Sequence, residues 1–314
     1  MLQNTKLPYH PNWKAMELAY RKQVALLLAV LPEVAKENCL ALHGGTAINL
    51  FVRDMPRLSV DIDLTYVPIE DRATSFANIT KALGRIKSNI GIAVPNARVS
   101  HREDVHKLQI SQQGADVKLE VNPVGRGTLS GPTKMQLCEK AQEAFGAFAA
   151  IQTVPFGQLY GGKTCAALDR QHPRDLFDIK YLLENEGFSE GVKKGFLLCL
   201  LGSERPAHEL LWPILKDQRS ALSNQFEGMS DEPFGYGGFE EVRERLVLTV
   251  QNGLTEKDMA FLLGVYNLEP DWGIHDFRHF PSVKWKIQNL EKLKRGNPSK
   301  HKEQYDALKK AFGA

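Results

Sequence analysis

The stretch HGGTAINLFVRDMPRLSVDIDL, residues His43 to Leu64, sets a Gly-Gly-Thr turn one short helix ahead of two aspartates spaced two apart. Its second half alternates, with Val60, Ile62 and Leu64 apolar and Ser59, Asp61 and Asp63 polar. On a strand, residues two apart share a face at a separation of about 7 Å. Two carboxylates so placed converge on one Mg²⁺ or share two ions. Such a centre handles the phosphates of a nucleoside triphosphate during an in-line displacement. The plainer alternative is a half-exposed strand with acidic outer residues. The turn weighs against it, because glycines let backbone N–H groups approach an anion and a helix starting at Thr46 presents its positive end to one. Gly44, Gly45 and Thr46 are therefore read as a phosphate cradle, and Asp61 and Asp63 as metal ligands.

Working outward, the segment Ala115 to Val124, ADVKLEVNPV, also alternates. Its polar face carries Asp116, Lys118, Glu120 and Asn122. Laid beside the first strand, it supplies Glu120 as a third carboxylate, either metal ligand or base. Asp116 is the competing candidate, and alternation does not separate them.

Helical spacing over Asn12 to Asn38 predicts a helix kinked or divided at Pro32, and Cys39 to His43 reads as a buried strand. Ile69 to Asn89 is a second amphipathic helix. Two strands are expected between Arg98 and Val124, with Gln112-Gln113-Gly114 as a hairpin turn. Thr133 to Phe145 reads as helix and Ala147 to Val154 as strand. From Tyr160 onward nearly every long segment has helical periodicity. A boundary near 188 is expected, giving units 1–188 and 189–314.

The composition, 43% apolar and 25% charged, is that of a globular protein. A net charge of +3 neither requires nor excludes a nucleic-acid partner. Cys39, Cys138, Cys165 and Cys199 are scattered without a C-x-x-C pair, so neither a zinc knuckle nor a disulfide framework is expected. With no signal-peptide pattern and no long apolar run, the expectation is a cytoplasmic protein without a membrane span.

Residues Gly157 to Thr164, GQLYGGKT, match the phosphate-loop pattern literally. A genuine phosphate loop follows a strand, opens a helix and sits among further alternating strands and helices. Here the chain turns helical instead. The more informative context is GGKTCAALDRQHPRDLFDIKYLL, Gly161 to Leu183, where Pro173 starts a new helix. Asp175 and Asp178 share a face of that helix, and Lys163 lies on the preceding one. Such an elbow aims Lys163 and Asp178 at one point.

Together, G-G-T, D-I-D and a strand carrying a carboxylate resemble the nucleotidyltransferase superfamily with a DNA polymerase β-like core. Thr46 stands where that superfamily usually has Ser. With the elbow added, the chain resembles the AbiEii-type nucleotidyltransferase toxins, whose pattern of lysine, Ala-Arg segment and R-D-L-x-D helix falls here on Lys163, Ala166 to Arg170, and Arg174 to Asp178. The resemblance spans residues 40 to 185. It implies an α+β fold, a polymerase β-like core with a small mixed sheet followed by a mostly helical C-terminal domain. It also implies a toxin–antitoxin and phage-defence enzyme that transfers a nucleoside monophosphate from an NTP with Mg²⁺. Asp61, Asp63 and Glu120 would hold the metal. Gly44, Gly45, Thr46, Lys163 and Arg174 would bind the triphosphate, and Asp178 would orient Lys163 or assist proton transfer. The implied acceptor is the tRNA 3′ end, and the implied partner an AbiEi-type antitoxin. Transfer to a protein hydroxyl and non-catalytic nucleotide binding are the alternatives.

Finally, Trp285 to Lys310 carries Lys286, Lys292, Lys294, Arg295, Lys300, Lys302, Lys309 and Lys310. Basic helices of this kind neutralise RNA phosphates, and Trp285 or Tyr305 offers a ring for stacking. The bland alternative is a solvated helical face.

Overall fold

The computed structural model describes residues 13–313, with side chains from Leu18 onward. Helix α1 (Trp13–Val34) passes through Pro32 and ends two residues later, so the proline lies at its end rather than dividing it. Asn12 lies outside the described residues. Strand β1 (Leu40–His43) runs into a helical segment, α2 (Gly44–Ala47), which continues as a π-helical turn over Ile48–Val52. The helix therefore begins two residues before Thr46. Strand β2 (Asp61–Tyr66) follows, then α3 (Arg72–Ala93), capped by the Asp71 carboxylate on the Thr74 N–H.

The segment expected to hold two strands holds three, β3 (Arg98–Arg102), β4 (Lys107–Gln112) and β5 (Ala115–Asn122). A 3₁₀ turn over Glu103–Val105 and a left-handed His106 (φ +52°) interrupt what alternation alone reads as one strand. Gln113 and Gly114, both at positive φ, make the tight turn between β4 and β5.

Thr133 to Phe145 is not one helix. Thr133–Gln136 forms β6 against β7 (Ala150–Thr153), and only Glu139–Phe145 is helical, as α4. Pairing with β7 overrides a weak local helical preference in this short segment.

The seven strands form one mixed sheet in the order β3-β4-β5-β2-β1-β7-β6. At its centre β2 runs antiparallel to β1 and parallel to β5. Ile62, Leu64, Val117, Leu119 and Val121 are buried. Helix α1 packs on β5 and α3, and α3 on β3 and β4.

The rest is helical: α5 (Phe156–Arg170), α6 (Pro173–Glu184), α7 (Glu190–Gly202), α8 (Ala207–Leu211), α9 (Arg219–Gln225), α10 (Tyr236–Gly253), α11 (Glu256–Asn267), α12 (Pro281–Gly296) and α13 (Pro298–Ala311). The phosphate-loop look-alike lies inside α5. Two of its glycines serve helix packing: a Cβ on Gly157 would come within 2.4 Å of the Gly191 carbonyl of α7, and one on Gly161 within 2.2 Å of Gly195. Among the described residues, no helix is long and apolar enough to cross a membrane.

Candidate active site

Strand register brings the predicted carboxylates together. Asp63 of β2 lies opposite His43 on β1 and Glu120 on β5, and Asp61 lies opposite Lys118. Asp116 sits four residues before Glu120, about 13 Å along the strand, and is engaged by the Ser111 hydroxyl. Glu120, not Asp116, is therefore the carboxylate beside Asp63. It is already paired, with Lys107 Nζ at 3.1 Å and Lys118 Nζ at 3.4 Å.

Asp61 and Asp63 differ from it. Both are half-buried, and among the described residues neither side chain accepts a hydrogen bond or meets a cation within 4.0 Å. Burial, and then the Asp61 charge, push the Asp63 pKa up. At Lys118 burial opposes the charged form, but Asp61, Asp63 and Glu120 outweigh it and raise the pKa. Gly44, at φ +72°, leaves room for Asp63: a Cβ there would stand 2.5 Å from its Oδ2.

These residues fit a divalent cation of the Mg²⁺ type. The donors are hard oxygens, uncompensated and close-set. Among the described residues no three Asp, Glu, His or Cys side chains form a metal cage. Magnesium commonly takes one or two carboxylates and completes its shell with water and substrate phosphates, so two aspartates suffice.

No side chain caps the first turn of α2, so its leading N–H groups remain open to an anion. Thr46 lies elsewhere than expected. It is fully buried, its hydroxyl donating to the Asp61 carbonyl (2.5 Å) and sharing a hydrogen bond with Ser59 (3.0 Å). The short side chain turns inward beneath β2, where it pins the backbone of Asp61 and is spent for phosphate contact.

The elbow between α5 and α6 forms as its sequence directs. Gln171 closes α5 in the left-handed region, the His172 side chain accepts the Arg174 N–H, and Pro173 occupies the first helical position. This turn lays Asp175 and Asp178 against Lys163, whose Nζ is 2.9 Å from Asp175 Oδ1 and 3.1 Å from Asp178 Oδ2. Asp178 also accepts a bidentate pair from Arg57 (2.8 and 2.6 Å) and a bond from Asn49 Nδ2 (2.9 Å). Asp175 is further held by Arg170, with one bond at 2.9 Å. Burial opposes ionisation of both carboxylates. The cations outweigh it, Lys163 at Asp175 and Arg57 at Asp178, and hold both pKa values well below the usual range. A carboxylate so committed does not shuttle protons. Asp178 holds the Lys163 ammonium at 3.1 Å, and the proton-transfer role is not supported by this geometry.

Arg174 has no hydrogen-bonded or ionic side-chain partner among the described residues. Burial, then Arg57, lower its pKa, and Asp61 is near enough to oppose them. His43 is the other neighbour. Its Nδ1 meets Thr65 Oγ1 at 3.2 Å, and its ring lies beside Gly162 of α5. Burial and Lys163 push its pKa down to about 4, so it stays neutral between the acidic strand and the lysine.

Sequence reasoning assigned no role to Arg57, Asn49 or His43. Arg57 and Asp178 are 121 positions apart, and no local pattern links them. Asp175 carried a usable signal, a second carboxylate on the face that meets a lone lysine.

Among solved structures, the fold is similar to MenT4, a nucleotidyltransferase toxin from Mycobacterium tuberculosis H37Rv, with TM-score 0.62 and 14% identity, covering 88% of this chain and 94% of that one. No curated protein sequence matches the chain. The profile described as nucleotidyl transferase AbiEii toxin, type IV toxin–antitoxin system, matches residues 25–287. That span is most of the molecule, from α1 into α12, and it includes every element of the site: the chain belongs to the AbiEii nucleotidyltransferase toxin family.

Proposed function

We propose that the chain transfers a nucleoside monophosphate from an NTP to the 3′ end of tRNA in the cytoplasm, and that an AbiEi-type antitoxin opposes it. The observation that carries this reading is the contrast between two centres. Asp61 and Asp63 are close-set carboxylates without partners among the described residues, while Lys163 is locked between two saturated aspartates.

Asp61 and Asp63 would hold Mg²⁺, which would supply charge neutralisation at the reacting phosphate. The open N–H groups at Gly44 and Gly45 receive the triphosphate oxygens. Thr46 acts behind them by fixing the Asp61 backbone. Lys163 has three N–H donors, two of them committed to aspartates, and offers the third to a phosphate oxygen. Arg174 gives a second cation. Glu120, beside Asp63, takes the acceptor hydroxyl proton after releasing a lysine, or joins the metal as third ligand. The hydroxyl oxygen then attacks the α-phosphorus, and pyrophosphate leaves. Residues 1–188 carry this chemistry, and 189–314 hold the acceptor.

Incubating the protein with each α-³²P-labelled NTP, Mg²⁺ and total bacterial RNA tests the reading, with Asp61→Ala as control. Label is expected on a tRNA-sized band in the parent protein alone. Label on protein would move the acceptor to a protein hydroxyl, and no label despite NTP binding would replace the enzyme with a binding module.

A further inference from the structure

The basic C-terminus is not one uniform face. Over residues 281–313, eight lysines and arginines are exposed against three exposed acids, but Lys286 is buried. Its Nζ bonds only the Arg205 carbonyl, at 3.2 Å, and lies 6.0 Å from the Tyr266 ring centroid. Among the described residues no carboxylate comes within 4.0 Å of it. An ammonium has three donors, and the protein fills one. Burial pushes the Lys286 pKa down to about 8, and Cys165 and Glu204 only partly oppose it.

This ammonium borders a cavity of about 390 Å³, within the size range of small-ligand sites. Trp285 and Asn289 of α12 flank Lys286. Ser203 and Glu204 at the end of α7 and Gln304 of α13 face it. Trp285 is half-exposed and available for stacking. Lys292 and Lys300 are exposed on the same two helices, one turn from Asn289 and from Gln304.

We infer that this cavity binds one unpaired nucleotide of the acceptor RNA, its base on Trp285 and its phosphate on Lys286; the inference rests on RNA being the acceptor. Asn289 and Gln304 offer amide donors and acceptors to a base edge, and Glu204 accepts from a ribose hydroxyl. An acidic peptide, the competing occupant, would answer the Lys286 charge but leave the Trp285 ring and the two amides without the planar base they suit. No residue of β2, α5 or α6 lines the cavity, so it is separate from Lys163 and anchors the RNA rather than presenting its reacting end.

The test uses the full chain and a fluorescein-labelled eight-nucleotide single-stranded RNA followed by anisotropy. Trp285→Ala and Lys286→Met are each expected to weaken RNA binding by about tenfold and leave Mg–NTP affinity unchanged. In the transfer assay they raise the RNA KM with kcat preserved. Unchanged RNA affinity in both variants overturns the inference. So does parallel loss of Mg–NTP affinity in Trp285→Ala, since the residue then serves the fold. A polyglutamate peptide that binds with the same dependence overturns it in favour of a protein partner. If no nucleotide is transferred yet RNA binding still depends on Trp285 and Lys286, the transferase reading falls and the cavity assignment stands.

Discussion

Asp63 and Asp178 are both shielded aspartates of the site, yet removing their charges should move stability in opposite directions. Asp178 accepts three hydrogen bonds, from Arg57 twice and Asn49, and pairs with the Lys163 ammonium, all at 2.6 to 3.1 Å. In Asp178→Asn, Arg57 retains only the Leu58 carbonyl as an uncharged acceptor and faces an amide where it met a carboxylate. The Arg57 side chain is 3% exposed and that of Lys163 7%, so water cannot replace the lost anion. Breaking a buried pair from one side costs about 3–5 kcal/mol. Asp63 has no such partners, and its neighbour Asp61 repels it. Asp63→Asn should stabilise the metal-free protein by about 0.5–1 kcal/mol, the scale of relieved charge repulsion, while abolishing transfer. Urea unfolding of metal-free protein at pH 7, followed by tryptophan fluorescence, reads both. With m near 3 kcal/mol/M, the Asp178→Asn midpoint should fall by about 1–1.7 M, and the Asp63→Asn midpoint should rise slightly. Two variants that fall together, or an Asp178→Asn midpoint within about 0.3 M of the parent, would refute the division into a saturated and an unsaturated centre.

Gly161→Ala drives a methyl into the Gly195 backbone and should cost about 1–3 kcal/mol, whereas Gly84→Ala on open α3 should gain up to about 1 kcal/mol; thermal melts separate them. The Asp175 pKa is depressed in the fold, so its contribution is complete above the ordinary carboxylate range and is lost as pH falls below about 4. The stability gap between parent and Asp175→Asn should therefore narrow from pH 5 to pH 3 in urea titrations, and a constant gap would contradict the pairing. Lys163→Arg puts a planar fork where two aspartates grip a point charge, so transfer should drop by at least about 100-fold in the labelling assay. Reversing Lys292, Lys294 and Arg295 together should weaken RNA binding at low salt and flatten its salt dependence by up to about 0.7 per lost contact, read by anisotropy across a salt series.

The alternating strands were legible because burial on one face imposes a period of two, and Asp61, Asp63 and Glu120 follow it without a break. The elbow was legible because Pro173 and the spacing of Asp175 and Asp178 obey helix geometry. What local patterns missed is long-range. Arg57 finds Asp178 only after α2, β2 and α6 assemble, and a lone arginine in a loop carries no mark of that. Thr46 was misplaced for a related reason: a hydroxyl after two glycines fits a phosphate cradle, but register with Ser59 and Asp61 decides where it points. Seven of the eight basic residues read over α12 and α13 as one face are exposed. The eighth, Lys286, was treated as surface, because periodicity does not reveal that α7 and α13 close over that turn.

GQLYGGKT shows how one pattern serves two physical ends. In a phosphate loop, small residues let backbone N–H groups reach an anion. In α5, Gly157 and Gly161 let another backbone reach the helix, and from Leu159 onward the N–H groups are spent on helical bonds. Close approach to α7 seats α5, and α5 sets the height at which Lys163 meets Asp175 and Asp178. The lysine of the false motif is thus positioned by its glycines through the rigid docking of the helix that carries it. A helix held off by even one methyl group would move its Nζ relative to two aspartates that are fixed separately, by Arg57 and Arg170. The position of the Lys163 charge depends on packing on the far side of α5, which makes those glycines positioning residues for the charge they precede.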